Sequence, residues 1–255
     1  MHPADTDTIA APATPPGSGG VAVVRVSGPK AADVLTAVFR PGERDFTGYS
    51  PRTLHWGHAV DAAGEVLDEV LAVHMPAPRS YTGEDVAELH CHGGPAVVRA
   101  VLCAVLDAGA RQAEAGEFTK RAFLNGRLDL TQAEAVAEAI AAPTREAARL
   151  AQAKLSGALG RAIRELRGAL EDLRAQLCVA VDFPEEDVDC LPPEALRAGI
   201  ADARERIAAL LASFERAKAW RSGPRAVLLG RVNAGKSTLL NALAGRERAL
   251  VAETP

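Results

Sequence analysis

Cysteine is scarce and scattered: Cys91, Cys103, Cys178 and Cys190 form no C-x-x-C pair, so the chain has neither a dithiol redox motif nor a disulfide framework. They read as reduced, mostly buried thiols of a cytosolic protein. A basic surplus is also missing. Lysine and arginine number 29 against 33 aspartates and glutamates, a net charge of −4, so any contact with nucleic acid must come from a local patch. Aromatic residues are only 4% of the chain. No uncharged apolar run approaches the roughly 18 residues that span a bilayer. The N-terminus carries Asp5 and Asp7 without a basic region and does not read as a signal peptide. The expectation is a soluble, cytoplasmic protein without a membrane partner. At 255 residues and 48% hydrophobic, the chain is long enough for two or more domains, each with its own core.

What is present is most specific near the C-terminus. Gly230-x-x-x-x-Gly235-Lys236-Ser237 matches the phosphate-binding P-loop pattern residue for residue. The apolar run Ala226 to Leu229 before it reads as a buried strand, and Lys236 onward reads as a helix closed by Gly245. Glycines let backbone N–H groups turn inward around phosphate oxygens, and the helix N-terminus adds its positive dipole end. In this arrangement Lys236 reaches the β- and γ-phosphates and the Ser237 hydroxyl ligates Mg²⁺. Asn233, Ala234, Gly235, Lys236, Ser237 and Thr238 form the candidate nucleotide site. The loop by itself does not choose between GTP and ATP.

Along the chain the fold class reads as α+β and multidomain. Residues 1–118 alternate strand-like runs (Thr8 to Ala13, Val21 to Val26, Leu67 to Met75, Val86 to Cys91) with two helical stretches, Ala31 to Phe39 and Pro95 to Ala108. Residues 119–220 read as a helical bundle. Thr131-x-x-Glu134 is the expected capping box of a helix from Ala133 to Ala142, with Pro143 marking the next boundary. A single helix is expected to carry Leu155, Leu159, Ile163, Leu166, Leu170, Leu173 and Leu177, and Pro193 to open a third. Residues 225–255 hold the start of a P-loop α/β domain.

Other constellations are less specific. His90-Cys91-His92 places two imidazoles on one face of a strand but brings no third metal ligand, which favours structural or substrate-contacting histidines. The acidic run Asp182, Glu185, Glu186, Asp187 and Asp189 lacks the glycine of a calcium loop and reads as a solvated turn. Arg25, Glu88 and Arg127 put charge within or beside apolar segments. Each is either solvent-facing or a ligand contact.

Taken together, several segments resemble the MnmE (TrmE) family of tRNA-modification GTPases. They include Asp7-Thr8-Ile9-Ala10-Ala11, Tyr81-Thr82-Gly83-Glu84-Asp85, His92-Gly93-Gly94-Pro95 and Gly116-Glu117-Phe118-Thr119. Further matches are Arg121-Ala122-Phe123-Leu124-Asn125-Gly126, Asp182-Phe183-Pro184-Glu185-Glu186 and the P-loop, all in order along the chain. The resemblance implies an N-terminal domain that forms a homodimer and binds 5-formyltetrahydrofolate or methylenetetrahydrofolate. It also implies a helical domain carrying a GTPase domain. With the partner MnmG (GidA), in a heterotetramer, such proteins add an aminomethyl-type group to C5 of the tRNA wobble uridine. By position, the folate contacts fall on Arg25, Glu88 and Arg127, with arginine at the last where lysine is usual. Asn233 falls on a K⁺ ligand of a K⁺-activated GTPase.

The same resemblance marks departures. Relatives continue with the rest of the GTPase domain, a returning helix and a C-terminal Cys-x-Gly-Lys motif, so this chain reads as a fragment. It is expected to be inactive alone and to expose an apolar helical face that invites self-association. Two other readings stand beside the leading one. One is a different translational P-loop GTPase, such as a ribosome-assembly factor, which leaves the first 120 or so residues unexplained. The other is a folate-binding dimerisation scaffold with a dead nucleotide site.

Overall fold

The computed structural model describes residues 7–182, 192–221, 227–231 and 234–245. Strands β1 (Ile9–Pro12) and β2 (Gly19–Ser27) lead into helix α1 (Ala31–Val38) and strands β3 (Phe39–Pro41), β4 (His55–Val60), β5 (Val66–Met75) and β6 (Val86–Gly93). Helix α2 (Pro95–Asp107) and strand β7 (Arg111–Gln112) follow. The rest is helical: α3 (Glu117–Leu124), α4 (Leu130–Ala141), α5 (Arg145–Leu155), α6 (Ala158–Asp182), α7 (Pro193–Arg221) and α8 (Lys236–Ala244). Two compact units result. One comprises Met1–Ala141 with Arg149–Glu171, and the other Ala142–Ala148 with Asp172–Pro255.

The first unit is built on one seven-stranded sheet in the order β3-β4-β5-β6-β2-β1-β7, antiparallel except for the β1–β7 pair. Alternation along the strands decides its two faces. Val24, Val26, Ala72, Ala87 and Leu89 point to one face and form a buried core with Val34 and Leu35 of α1 and Val101 and Val105 of α2. Each fully buried leucine or valine there contributes about 1.5–3 kcal/mol relative to exposure. Arg25, Glu88 and His90 alternate with these on the opposite face and are only partly buried. Register thus assigns the apolar half of β2 and β6 to packing and leaves the polar half for chemistry.

The strands expected from Val-rich runs are present, and β3, β4 and β7 are additional. The two histidines read as sharing one strand face make separate contacts. His90 Nε2 lies 3.3 Å from Glu88 Oε2, and His92 Nδ1 lies 2.7 Å from Asp68 Oδ1. Among the described residues no three His, Cys, Asp or Glu side chains come together as a metal site. The cysteines depart from expectation: Cys91 is buried, but Cys103 and Cys178 are exposed, and Cys190 lies outside the described residues.

Three expectations about local structure are corrected. The capping box of α4 is formed by Asp129 and Gln132, not Thr131 and Glu134. Asp129 Oδ1 accepts from the Gln132 N–H, and Gln132 Oε1 accepts in return from the Asp129 N–H. Thr131 instead spends its hydroxyl on Asp129 Oδ1. The single leucine-striped helix is in fact two, α5 and α6, because Gly157 takes a left-handed conformation at φ +75°. A left-handed residue stops the preceding helix by turning its last N–H groups back on the helix. In the second unit α6 and α7 approach closely at Gly199, where a Cβ would lie 2.8 Å from Leu173 Cδ1, and Ala203 is buried. Ile200 and Leu211 remain exposed on α7. Pro193 opens α7 as expected.

The expected strand before the P-loop is the third correction. Val227–Leu229 carry no strand pairing, and Val227 and Leu229 are 76% and 89% exposed. A strand persists by pairing with neighbours, and no described strand lies beside this run. Among the described residues no helix is long and apolar enough to cross a membrane. The acidic residues Glu185, Glu186, Asp187 and Asp189 lie outside the described residues.

Candidate functional site

The β2–β6 ladder sets Arg25 opposite Glu88. Arg25 Nε donates to Glu88 Oε1 at 2.7 Å, and the other Glu88 oxygen faces His90. Neither charge is fully desolvated, with side-chain exposures of 24% and 14%. The pair therefore retains access to solvent while being held in fixed geometry, the condition in which a charge can serve a ligand.

Two aromatic rings enclose the Arg25 guanidinium. Its central carbon is 5.0 Å from the Tyr81 ring centroid and 5.6 Å from that of Phe118. Such stacking suits a planar guanidinium. Tyr81 comes from the loop between β5 and β6, Phe118 from the first turn of α3, and the Tyr81 hydroxyl bonds Thr119 Oγ1 at 2.9 Å. Arg127 approaches the same loop from beyond α3, and its Nε donates to the Ser80 carbonyl at 3.1 Å. Arg25 and Arg127 thus contact successive loop residues, Tyr81 and Ser80. All three candidates of the first site converge on this loop and the strands beneath it.

The loop has no regular structure, yet Ser80 and Thr82 are buried. Side chains replace the missing ladder bonds. Ser27 Oγ bonds both Thr82 Oγ1 and Glu84 Oε2 at 2.7 Å. Asn125 Nδ2 donates to the Thr82 carbonyl at 2.9 Å. Behind it Arg121, 4% exposed, reaches Glu84, Glu117 and both the carboxylate and carbonyl of Asp7. Burial alone would lower the Arg121 pKa, but these acceptors more than offset it and hold the pKa above the ordinary value. Arg111 bonds Asp7 and Glu117. Its hydrogen bond is the main cause that draws the Glu117 pKa down to about 2. Tyr81, Phe118, Glu84 and Arg121 lie in segments that carry the family resemblance but were not read from sequence as site residues. The available signal was Glu117-x-x-x-Arg121, an i,i+4 ion pair in a helix whose mean character is polar.

At the second site Ala234 and Gly235 lead into α8. Gly235 is left-handed at φ +79°, and the chain then enters the helix with Lys236 and Ser237 in its first turn, both half-buried. The Arg231 carbonyl accepts from the Ala234 N–H and from the Lys236 ammonium. Lys236 is therefore folded back onto the Arg231 carbonyl. Ala234, Gly235 and Thr238 are exposed beside it. The first-turn N–H groups of a helix have no intrahelical partner and suit an anion, and the Ser237 hydroxyl is the kind of hard oxygen donor Mg²⁺ takes. Asn233 lies outside the described residues. Gly245 closes α8 in a left-handed conformation, as expected.

Comparison with known proteins bears on both sites. Residues 8–127 match the family model described as the GTP-binding protein TrmE N-terminus, and residues 130–248 match the MnmE helical domain. The chain is 59% identical over 249 residues to the tRNA modification GTPase MnmE of Nitratidesulfovibrio vulgaris strain DP4. It is 51% identical over 249 residues to the protein of that name from Lawsonia intracellularis, and 49% over 251 residues to that of Heliobacterium modesticaldum. Each match covers 98% of this chain and 54% of the relative. The chain thus spans about half the length of the curated relatives it matches.

Proposed function

The chain belongs to the MnmE (TrmE) family of tRNA modification GTPases, and on that footing we propose that its two sites hold a folate and a guanine nucleotide. Residues 1–118 form the folate-binding and homodimerising domain, residues 119–220 the helical domain, and residues 225–255 the beginning of the GTPase domain. Arg25, Glu88 and Arg127 bind a tetrahydrofolate derivative, either 5-formyltetrahydrofolate or methylenetetrahydrofolate, which supplies the one-carbon unit. Asn233 to Thr238 bind GTP, with Ser237 as Mg²⁺ ligand and Asn233 as K⁺ ligand. In the cytoplasm and with MnmG, the whole protein adds the aminomethyl-type group to C5 of the wobble uridine in tRNA.

The observation that carries the reading is the half-buried Arg25–Glu88 pair enclosed by Tyr81 and Phe118. The pyrimidinone ring of a reduced pterin is flat and carries adjacent N–H donors and a carbonyl. Glu88 matches the donors, Arg25 matches the carbonyl or a carboxylate, and the aromatic rings match the plane. At the nucleotide site, Lys236 and the N-terminus of α8 supply positive charge where phosphate charge would lie.

Calorimetric titration of the full chain with 5-formyltetrahydrofolate, beside Arg25→Ala, tests the first site. Saturable binding that disappears in the variant is expected. A well-folded wild-type chain that takes up no folate overturns the proposal for that site.

A further inference from the structure

The two aromatic rings around Arg25 belong to separate elements, and one buried arginine ties those elements together. Tyr81 sits on the β5–β6 loop and Phe118 on α3. Glu84 anchors the loop through Ser27 and turns its carboxylate to Arg121, which is itself on α3 three residues beyond Phe118. Asp7, at the approach to β1, holds the other side of the same guanidinium. The hydrogen bonds and ion pairs of Arg121 go to Asp7, Glu84 and Glu117, not to Arg25 or Glu88. It lies on α3 with Phe118 and is tied through Glu84 to the loop that carries Tyr81, at the joint between the site's two walls.

We propose that Arg121 is a positioning residue of the Arg25 site: through Glu84 it fixes the spacing of Tyr81 and Phe118, and so sets the depth at which the guanidinium and its ligand are held. The ligand assignment rests on the folate reading above, whereas the positioning of Arg25 does not. Three features of the chemistry carry this. A guanidinium presents its donors in a rigid fork, so it can satisfy Asp7, Glu84 and Glu117 at once in one geometry, which a lysine cannot. With the side chain nearly fully buried, loss of one partner leaves an uncompensated charge and forces local rearrangement. Finally, the loop has no ladder bonds of its own between Ser80 and Asp85, so its side-chain ties decide where Tyr81 rests. Binding walls lose effect when displaced by fractions of an ångström.

The test uses the full chain and two readouts. The Arg25 Nε–H resonance, identified by its disappearance in Arg25→Lys, reports ring currents from Tyr81 and Phe118. Calorimetry reports affinity for 5-formyltetrahydrofolate. Arg121→Lys and Glu84→Gln are compared with the parent at a temperature where circular dichroism shows each folded. Glu84→Gln keeps the shape and the acceptor for Ser27, so it decides the matter if Arg121→Lys does not fold. The expected result is an Arg25 Nε–H signal moved toward that of an exposed arginine, together with binding about tenfold weaker. A folded Glu84→Gln chain with the Arg25 signal unmoved overturns the proposal, whatever its affinity. Should the parent bind no folate, the folate reading fails alone, and the Arg25 signal still decides whether Arg121 positions the walls.

Discussion

Arg25 and Glu88 are 63 residues apart in sequence and directly opposed across the β2–β6 ladder, joined by a 2.7 Å hydrogen bond on the face of the sheet opposite the α1 and α2 core. Glu88→Gln keeps the shape and one acceptor but removes the charge that Arg25 faces. The remaining guanidinium would stay between two rings without its counter-ion. We expect a loss of about 1.5–3 kcal/mol in stability from urea unfolding, the range for a charge-assisted hydrogen bond. Folate binding should fall by more than this stability change alone implies. Unchanged unfolding in the variant would show that the pair is solvated too well to matter.

The Asp7–Arg111–Glu117–Arg121 network should make stability depend on acid. Glu117 has its pKa lowered from 4.5 to about 2, and Asp7 is also held below its ordinary value, in both cases chiefly by Arg111. A carboxylate with a depressed folded pKa stabilises the fold above its unfolded pKa and loses that contribution as pH falls through the folded one. Unfolding free energy should therefore decline from about pH 5 toward pH 2. The decline should be shallower in Glu117→Gln, which has already lost the contribution at neutral pH.

Gly28 offers a backbone test. It takes φ +132°, and a Cβ there would lie 2.6 Å from the Asp7 carbonyl oxygen and 2.7 Å from Thr8 Cα. Those are backbone atoms of the segment entering β1, so they cannot swing aside. Gly28→Ala should cost about 2–4 kcal/mol, adding a steric clash to an unfavourable dihedral. Gly109, also at positive φ (+107°) but with nothing near its would-be Cβ, should cost only about 1 kcal/mol on the same change. Equal melting temperatures for the two variants would refute the steric account.

These sites show where sequence stops being informative. Strand β2 announces itself through valines at alternate positions, but β4 is His-Trp-Gly-His-Ala-Val and carries no such signal. Its strand character comes from pairing with β3 and β5, a long-range effect. At the start of α4, Asp129/Gln132 and Thr131/Glu134 both fit a capping box, and only the local bonding separates them. The leucine spacing ran through Gly157 unbroken because periodicity is blind to a single left-handed residue. The charges of Arg25 and Glu88 were visible, but their pairing depends on register. Arg121 to Asp7, 114 positions apart, has no local trace at all.

His92 gives a site-specific pH prediction. Its pKa is raised above 6.5, first by the hydrogen bond with Asp68 and then by that carboxylate's charge. Its contribution to stability is thus present below the unfolded pKa and disappears as pH rises through the folded one. A proton NMR titration should place His92 above 6.5 in the parent chain. Asp68→Asn should lower it toward that value, because the two largest raising causes are removed together and only the smaller pull of the Glu69 charge remains. An unmoved midpoint would mean the imidazole does not hold this contact in solution.

Lys236 makes the nucleotide proposal accountable apart from the folate one. Its ammonium bonds the Arg231 carbonyl within its own loop, so Lys236→Ala removes one loop contact but no core packing. The sheet of the first unit should be untouched and its unfolding unchanged. A phosphate-binding role predicts something different in kind: a fluorescent GTP analogue should lose affinity on the order of a hundredfold, as expected for a desolvated charge pair to phosphate. Ser237→Ala should weaken binding with Mg²⁺ present and much less with chelator, since the hydroxyl would act only through the metal. If Lys236→Ala binds the analogue as the parent does, the half-buried lysine serves only to fold the loop over Arg231, and the guanine-nucleotide reading of this segment falls while the Arg25 site is left standing.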